Sequence, residues 1–159
     1  MNETEFDPRH GGPLRVHPPV LAGLLLLGVL LLHLLGGEHH RFIHPHQLLG
    51  LLLVAGGVGL ASYAAALFGG RATTRNPYGR PVAFITGPPY TFTRNPMYLG
   101  LATVLLGFAI FFGSPTMLIA PILFYLVMDR RLIPQEEATM EELFGEQYLD
   151  YKRRVQRWF

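Results

Sequence analysis

The residues best suited to chemistry lie in one stretch, GPPYTFTRNPMYLG, which runs from Gly87 to Gly100. Arg94 and Asn95 stand directly before an apolar run, and tyrosines and threonines flank them. Asn95 is a favourable helix N-cap and Pro96 a favourable first helical residue, so the simplest interpretation is a capped helix start with the arginine at the lipid headgroups. A helix N-terminus also favours bound anions such as a carboxylate, which makes the stretch a candidate binding site.

A second polar element follows the last apolar block, where Glu136 and Glu137 stand side by side. The tight turn at residues 113–115 predicts a hairpin that returns this pair to the side where the Arg94 stretch begins. A pair of glutamates is usually only a solvated helix start. Beside tyrosines and a helix N-terminus, however, carboxylates and aromatic faces favour a cation. A ligand with a carboxylate, an ammonium and a sulfonium suits the combined set.

Long apolar blocks position these polar elements. Half of the 159 residues are hydrophobic and only 15% are charged, well below the roughly 25% of a soluble domain. A helix needs about 20 residues to cross a bilayer, and the blocks approach that length. The sequence therefore predicts an all-α polytopic membrane protein, a single domain over residues 1–159 with four transmembrane helices, the last two a tight hairpin. The predicted spans are residues 18–35, 47–68, 97–112 and 116–133, after a polar tail at residues 1–17.

Charge and periodicity predict the orientation and the last element. Residues 71–96 contain four arginines and no acidic residue, so the positive-inside rule places this loop and, with four spans, both termini in the cytoplasm. Residues 134–159 read as one amphipathic helix, because apolar residues recur every three or four positions. In the second span, Gly56, Gly59 and Ala64 to Ala66 offer a small face for helix packing. The apolar stripe of the last helix consists of Met140, Phe144, Tyr148, Tyr151, Val155 and Trp158.

Together these elements resemble the isoprenylcysteine carboxyl methyltransferase family, which is related to the membrane phospholipid N-methyltransferases. The resemblance rests on RNPMYLG at residues 94–100 and on the EE, FG and twin-tyrosine pattern at residues 136–151, and it extends over about residues 75–155. It implies an S-adenosylmethionine-dependent methyltransferase in the membrane. The implied acceptors are lipidic or apolar: an isoprenylated cysteine carboxylate, a phospholipid amine or a small hydrophobic thiol.

The resemblance also implies the site residues. Asn95 stands where most carboxyl methyltransferases have histidine, and Leu132 stands where the family has a substrate-side arginine. Arg131 is the candidate to replace that arginine, and with Glu137 it makes up the catalytic set. If the acceptor is an amine, a glutamate of the pair could take its proton. The implied cofactor-binding residues are Val82, Ala83, Phe84, Ile85, Tyr90, Arg94, Asn95, Pro96, Met97, Tyr98 and Glu136.

Other features weigh against other classes of function. His39, His40, His44 and His46 cluster near Glu38, but their spacing matches no strong metal motif, so an exposed polar loop is the favoured interpretation and no metal site is expected. The chain has no cysteine, which excludes a thiol nucleophile and Cys-ligated zinc. The basic residues form no face with interleaved aromatics, so no nucleic-acid partner is expected. The rival function is a non-enzymatic membrane scaffold or transporter subunit that retains the fold, and the oligomeric state stays open.

Overall fold

The computed structural model describes residues 17–36, 45–69 and 84–159, and every regular element within those ranges is helical. A 3₁₀ turn, Pro115–Leu118, leads into α4, and a π-helical segment, Met128–Leu132, continues α4 directly into α5. The helices are α1 (Pro18–Leu35), α2 (Pro45–Gly69), α3 (Pro96–Phe112), α4 (Ile119–Val127), α5 (Ile133–Phe144) and α6 (Glu146–Arg154).

The first two helices have the length and composition of membrane spans. Both α1 and α2 are long and apolar enough to cross a bilayer, whereas α3 is apolar but shorter. Leucines such as Leu24, Leu27 and Leu52 expose more than half of their surface. A continuous exposed apolar surface of this kind favours lipid over water as the surrounding medium. The prediction of four spans and the assignment of the termini to the cytoplasm both stay predictions.

The hairpin follows from local chemistry at both ends of α3. Pro96 occupies the first turn, where its fixed φ suits a helix and its missing N–H group is not needed. At the other end Gly113 adopts a left-handed φ of 60°, which terminates the helix at low cost because glycine has no Cβ. The following 3₁₀ turn directs the chain back, and α4 packs on α3. The predicted hairpin is therefore present.

Helix α3 lies at the centre of the bundle, because it contacts α1, α2 and α4. The principal core forms on its α1 and α4 side and continues through the π-helical segment into α5. Its largest fully buried side chains are Leu105, Met117, Phe124, Met128 and Ile133. This core fixes the end of the hairpin at which α3 begins and α5 follows.

Helices α2 and α3 pack backbone to backbone. A Cβ added to Gly57 would lie 2.6 Å from the carbonyl oxygen of Gly100, and one added to Gly107 would lie 2.8 Å from that of Gly50. The two glycines of each helix are about two turns apart, so both pairs lie on one face. Small residues allow such close approach in membrane helices, where dispersion contacts replace the hydrophobic effect.

The small face expected at Gly56 and Gly59 is the wrong face. No described atom lies within 4 Å of a Cβ at either position, and Ala65 and Ala66 are exposed. Of the predicted set only Ala64 is buried. Composition revealed that α2 has a small face, but several small residues compete for that role, and only the partner helix determines which of them it covers.

The single helix predicted for residues 134–159 is also wrong. Gly145 has a φ of 51°, which ends α5 at Phe144 and starts α6 in a new direction. Val155 is extended, so the chain leaves α6 before Trp158. The predicted apolar stripe is thereby divided: Tyr148 and Tyr151 join a second core cluster with Ile85 and Tyr90, whereas Trp158 packs against the principal core.

The glycine contact predicts opposite effects for neighbouring substitutions in α2. We expect Gly57→Ala to reduce the free energy of unfolding by about 1–3 kcal/mol, because its Cβ collides with backbone atoms of α3. Gly56→Ala is the matched control, and we expect it to be neutral or to stabilise by up to about 1 kcal/mol, since it adds helix propensity in open space. Unfolding of the purified protein in detergent measures both. Equal effects of the two substitutions would contradict the packing.

Candidate active site

Two helix starts meet at the end of the hairpin. Tyr98, in the first turn of α3, donates its hydroxyl to Oε1 of Glu136, in the first turn of α5, over 2.5 Å. Arg94, just before α3, donates from Nη2 to Oε1 of Glu137 over 2.8 Å. The predicted proximity of the RNPMY element and the glutamate pair is therefore confirmed. Their neighbourhood results from the hairpin turn and the uninterrupted helical path from α4 to α5.

Glu136 is accessible to solvent, yet it is not an ordinary surface carboxylate. Protein surrounds it closely enough that desolvation raises its pKa, and the charge of Glu137 acts in the same direction. The hydrogen bond from Tyr98 partly offsets this rise. An accessible carboxylate with a perturbed pKa beside a helix N-terminus is a candidate for binding a cation or for proton transfer.

Glu137 has the opposite environment. The residue is only 5% exposed, and Arg157 donates from Nη2 to its Oε2 over 2.8 Å while Arg94 holds the other oxygen. Burial alone would raise the pKa of this carboxyl, but the hydrogen bonds and charges of the two arginines outweigh it and lower the pKa. Glu137 is therefore a fixed anion, and two adjacent glutamates differ in their readiness to accept a proton.

A second acid anchors Arg157 from the other side. Nη1 of Arg157 donates to Oδ1 of Asp129 over 3.0 Å and to the Asp129 carbonyl over 3.2 Å. The indole N–H of Trp158 donates to the same carboxylate oxygen over 2.9 Å, and its ring lies 4.9 Å from that of Tyr125. Residues 155–159, which we call the clasp segment, are thereby held on the π-helical segment and α5.

The clasp segment also holds the start of α3. The backbone N–H of Arg94 donates to the Gln156 carbonyl over 2.9 Å, and the Arg157 carbonyl accepts from Thr93 Oγ1 at 3.0 Å and Asn95 Nδ2 at 3.1 Å. Asn95 thus occupies the N-cap position without capping the helix with its side chain. The amide instead ties the RNPMY element to the clasp segment.

The described part of the predicted cofactor-binding segment before Tyr90, Phe84 and Ile85, packs on an aromatic cluster. The ring of Phe84 lies 5.2 Å from that of Tyr151 and 5.3 Å from that of Phe144. The Tyr151 hydroxyl donates to the Tyr90 carbonyl over 2.7 Å, and the Tyr90 hydroxyl donates to the Ala64 carbonyl of α2 over 3.4 Å. Burial raises the pKa of Tyr151 to about 12, so its hydroxyl stays a proton donor at neutral pH. The cluster connects α6, the segment and α2.

The remaining predicted residues occupy distinct positions. Pro96 is buried and Met97 is half-buried between the two core clusters. Arg131 is exposed on the π-helical segment, and Leu132 is buried in the principal core. Residues 71–83 of the predicted cofactor loop, which include Val82 and Ala83, lie outside the described residues. The same holds for His39, His40 and His44.

Arg157, Asp129 and Thr93 also belong to this site, although no sequence motif identified them. Arg157 and Glu137 are 20 positions apart across the break at Gly145, so no helical spacing relates them. One signal was available: a glutamate that becomes buried at the start of a helix requires basic partners, and arginines before α3 and after α6 are such partners.

Comparisons with known proteins point to one family for this chain. A family model for phospholipid methyltransferases matches residues 45–147, which include Tyr98, Glu136 and Glu137 but not the clasp segment. An uncharacterized protein of Haemophilus influenzae is 37% identical over 62 residues, which are 39% of this chain and 98% of that protein. Methanethiol S-methyltransferase 1 of Bradyrhizobium diazoefficiens is 34% identical over 95 residues, 56% of this chain. That alignment covers only 31% of the second relative.

The buried ion pairs predict a large cost for removing Glu137. We expect Glu137→Ala to reduce the free energy of unfolding by about 3–5 kcal/mol, because it leaves Arg94 and Arg157 without their shared anion. Glu141→Ala, on the same helix, removes a half-exposed pair with Lys152 and should cost at most about 1 kcal/mol. Denaturant unfolding in detergent compares them, and similar costs would show that the network contributes little.

Proposed function

The chain belongs to the phospholipid methyltransferase family, and we propose that it transfers the methyl group of S-adenosylmethionine to a lipidic or apolar acceptor at the membrane. Family membership supports methyl transfer as the reaction. The observation that carries the proposal is the Tyr98–Glu136 hydrogen bond, because it joins the starts of α3 and α5 at an accessible carboxylate. Both residues belong to the cofactor-binding set that the family resemblance implies.

The described residues fit the charges of such a methyl donor. Glu136 supplies an accessible carboxylate, which suits an ammonium group. The first turn of α3 lacks a side-chain cap at Asn95, so its backbone N–H groups and the positive end of the helix dipole suit a carboxylate. Tyr90, Phe84 and Ile85 provide an apolar and aromatic side of the candidate site. When bound, S-adenosylmethionine would supply a methyl group activated by a sulfonium.

The two glutamates receive different roles in this proposal. Glu137 is committed to Arg94 and Arg157, so we assign it to holding the site in shape rather than to proton transfer, although it was predicted as a catalytic candidate. Glu136 combines solvent access with a raised pKa, so it is the carboxylate that can bind a cation or take a proton from an amine acceptor. Methyl transfer otherwise needs only alignment of acceptor and donor, which rigid positioning provides.

The acceptor class stays open among a carboxylate, an amine and a thiol. The name of the Bradyrhizobium diazoefficiens relative supports the inclusion of a small thiol. A carboxylate acceptor would need a cation, and Arg131 is the exposed candidate on the π-helical segment. Assay of the three acceptor classes with wild type and Arg131→Gln would decide whether that arginine selects the acceptor.

Binding of the methyl donor tests the proposal. In calorimetric titrations of the purified protein with S-adenosylmethionine and its demethylated product, we expect Glu136→Gln to weaken binding by about 10- to 100-fold, the loss of a hydrogen bond to a charged group. Tyr98→Phe should weaken it by up to about tenfold, because it removes a hydrogen bond and leaves the charge.

Glu141→Gln is the matched control, since it lies on α5 outside the Tyr98–Glu136 pair and should bind as the wild type does. A folded wild type that binds neither compound would refute the proposal and leave a non-enzymatic membrane module. Equal affinity of the Glu136→Gln and Glu141→Gln variants would refute the role of Glu136.

The raised pKa of Glu136 also predicts a pH dependence. The ionised carboxylate of Glu136 binds a cation. The affinity for S-adenosylmethionine should therefore be highest above the pKa of Glu136 and should fall as the pH decreases through that pKa. Because that pKa is raised, the fall should begin at a higher pH than an ordinary glutamate would give. Calorimetry at a series of pH values measures the profile. Glu136→Gln should remove this inflection, and an unchanged inflection in that variant would assign it to another group.

A further inference from the structure

The clasp segment contacts both halves of the candidate site, as does Lys152 at the end of α6, whose carbonyl accepts from Arg94 and whose ammonium lies 3.6 Å from Glu137. The backbone carbonyls of the clasp segment accept hydrogen bonds from Thr93, Arg94 and Asn95 at the start of α3. Its Arg157 side chain holds Glu137 at the start of α5. The two halves also bond each other directly, through Arg94 and Glu137 and through Tyr98 and Glu136, and the clasp segment braces this contact from outside both halves.

Both the guanidinium group and the backbone carbonyl of Arg157 take part in this connection. The guanidinium donates to both oxygens of Glu137, from Nε to Oε1 over 3.2 Å and from Nη2 to Oε2 over 2.8 Å. Nη1 reaches Asp129 at the same time, and the carbonyl of the same residue accepts from Asn95 and Thr93. One residue therefore contacts the π-helical segment, α5 and the chain before α3.

We propose that Arg157 is a positioning residue of the methyl-transfer site, which holds Asn95 and the Tyr98–Glu136 pair in the arrangement that binds the methyl donor. The inference rests on the proposed function of that site. Arg157 touches Glu137 and not Glu136, so it acts through its neighbour. The family match ends at residue 147, so neither the match nor the motifs of the sequence identify it.

The planar guanidinium explains why arginine suits this position. It presents five donors in a rigid fork that can serve a carboxylate bidentately and still reach a second acid. A lysine retains the charge but has a single ammonium, which cannot span Glu137 and Asp129 in the same geometry. Glutamine retains neither the charge nor the fork. The two substitutions thus separate the contribution of charge from that of shape.

Arg157 also affects the charge around Glu136. The groups that interact electrostatically with Glu136 are Tyr98 from α3, Tyr90 from the preceding loop and Glu137 on its own helix. The positive charges of Arg94 and Arg157 compensate Glu137. Removal of Arg157 leaves this neighbourhood more negative, which disfavours ionised Glu136. The pH below which affinity for the methyl donor falls should then move upward.

The test compares Arg157→Gln, Arg157→Lys and the control Arg154→Gln. Arg154 is exposed and donates within α6, to the Asp150 carbonyl. Calorimetric titration with S-adenosylmethionine over a range of pH should show binding by Arg157→Gln weakened about tenfold and its pH profile moved to higher pH. Arg157→Lys should restore the pH profile more fully than the affinity, and Arg154→Gln should match the wild type.

A measurement without ligand tests the same connection. Hydrogen–deuterium exchange in residues 93–98 and 133–138 should accelerate together in Arg157→Gln and stay unchanged in Arg154→Gln. Where Arg157→Gln fails to fold, Thr93→Val serves instead. It removes the hydroxyl that donates to the Arg157 carbonyl and accepts from the Asn95 backbone N–H, and it leaves every charge in place. This variant should bind the methyl donor more weakly with an unchanged pH profile.

The outcomes separate the two proposals. A wild type that binds S-adenosylmethionine, together with a folded Arg157→Gln or Thr93→Val variant of unaltered affinity and exchange, would overturn the role of Arg157 alone. A folded wild type that does not bind the compound would overturn the proposed function and, with it, this inference.

Discussion

The burial of the Glu137 carboxylate constrains the rest of the site. An ionised carboxylate away from water is strongly unfavourable unless charged hydrogen-bond donors surround it. Those donors come from Arg94, before α3, and Arg157, after α6, so one buried charge draws together segments that lie far apart in the sequence. The neighbouring Glu136 lies in a different environment, because it is accessible to solvent and accepts a hydrogen bond from the Tyr98 hydroxyl. The same dipeptide thereby provides both a structural anion and an exposed carboxylate.

Two kinds of packing support this arrangement. On one side of α3, glycines bring its backbone against α2, and on the other, large apolar side chains such as Phe124 and Met128 fill the core. The first contact depends on absent side chains and the second on bulky ones. Because α4 passes through the π-helical segment into α5, the position of the core also determines where the glutamate pair emerges. The site is therefore set by the same contacts that stabilise the hairpin.

The sequence predicted those features that depend on local composition. The first apolar block, residues 18–35, coincides with α1, and the turn at Gly113 predicted the hairpin and hence the proximity of Arg94 to the glutamate pair. The sequence did not predict the features that depend on a contact with a residue far away in the chain. Which glycines of α2 face α3, and that Arg157 reaches Glu137, are decided in three dimensions. Gly145 is an intermediate case: glycine permits a helix break, but periodicity continued across it and concealed the change of direction.

The glycine contacts between α2 and α3 have a consequence for access from the bilayer. Where Gly50 faces Gly107 and Gly57 faces Gly100, the backbones lie so close that even one methyl group would collide. An acyl or prenyl tail, which is thicker than a methyl group, has no passage between the helices at these two levels. A lipidic acceptor of the proposed kind would therefore have to reach the Tyr98–Glu136 pair along another side of α3. At these two levels the seam between α2 and α3 is closed to such a molecule.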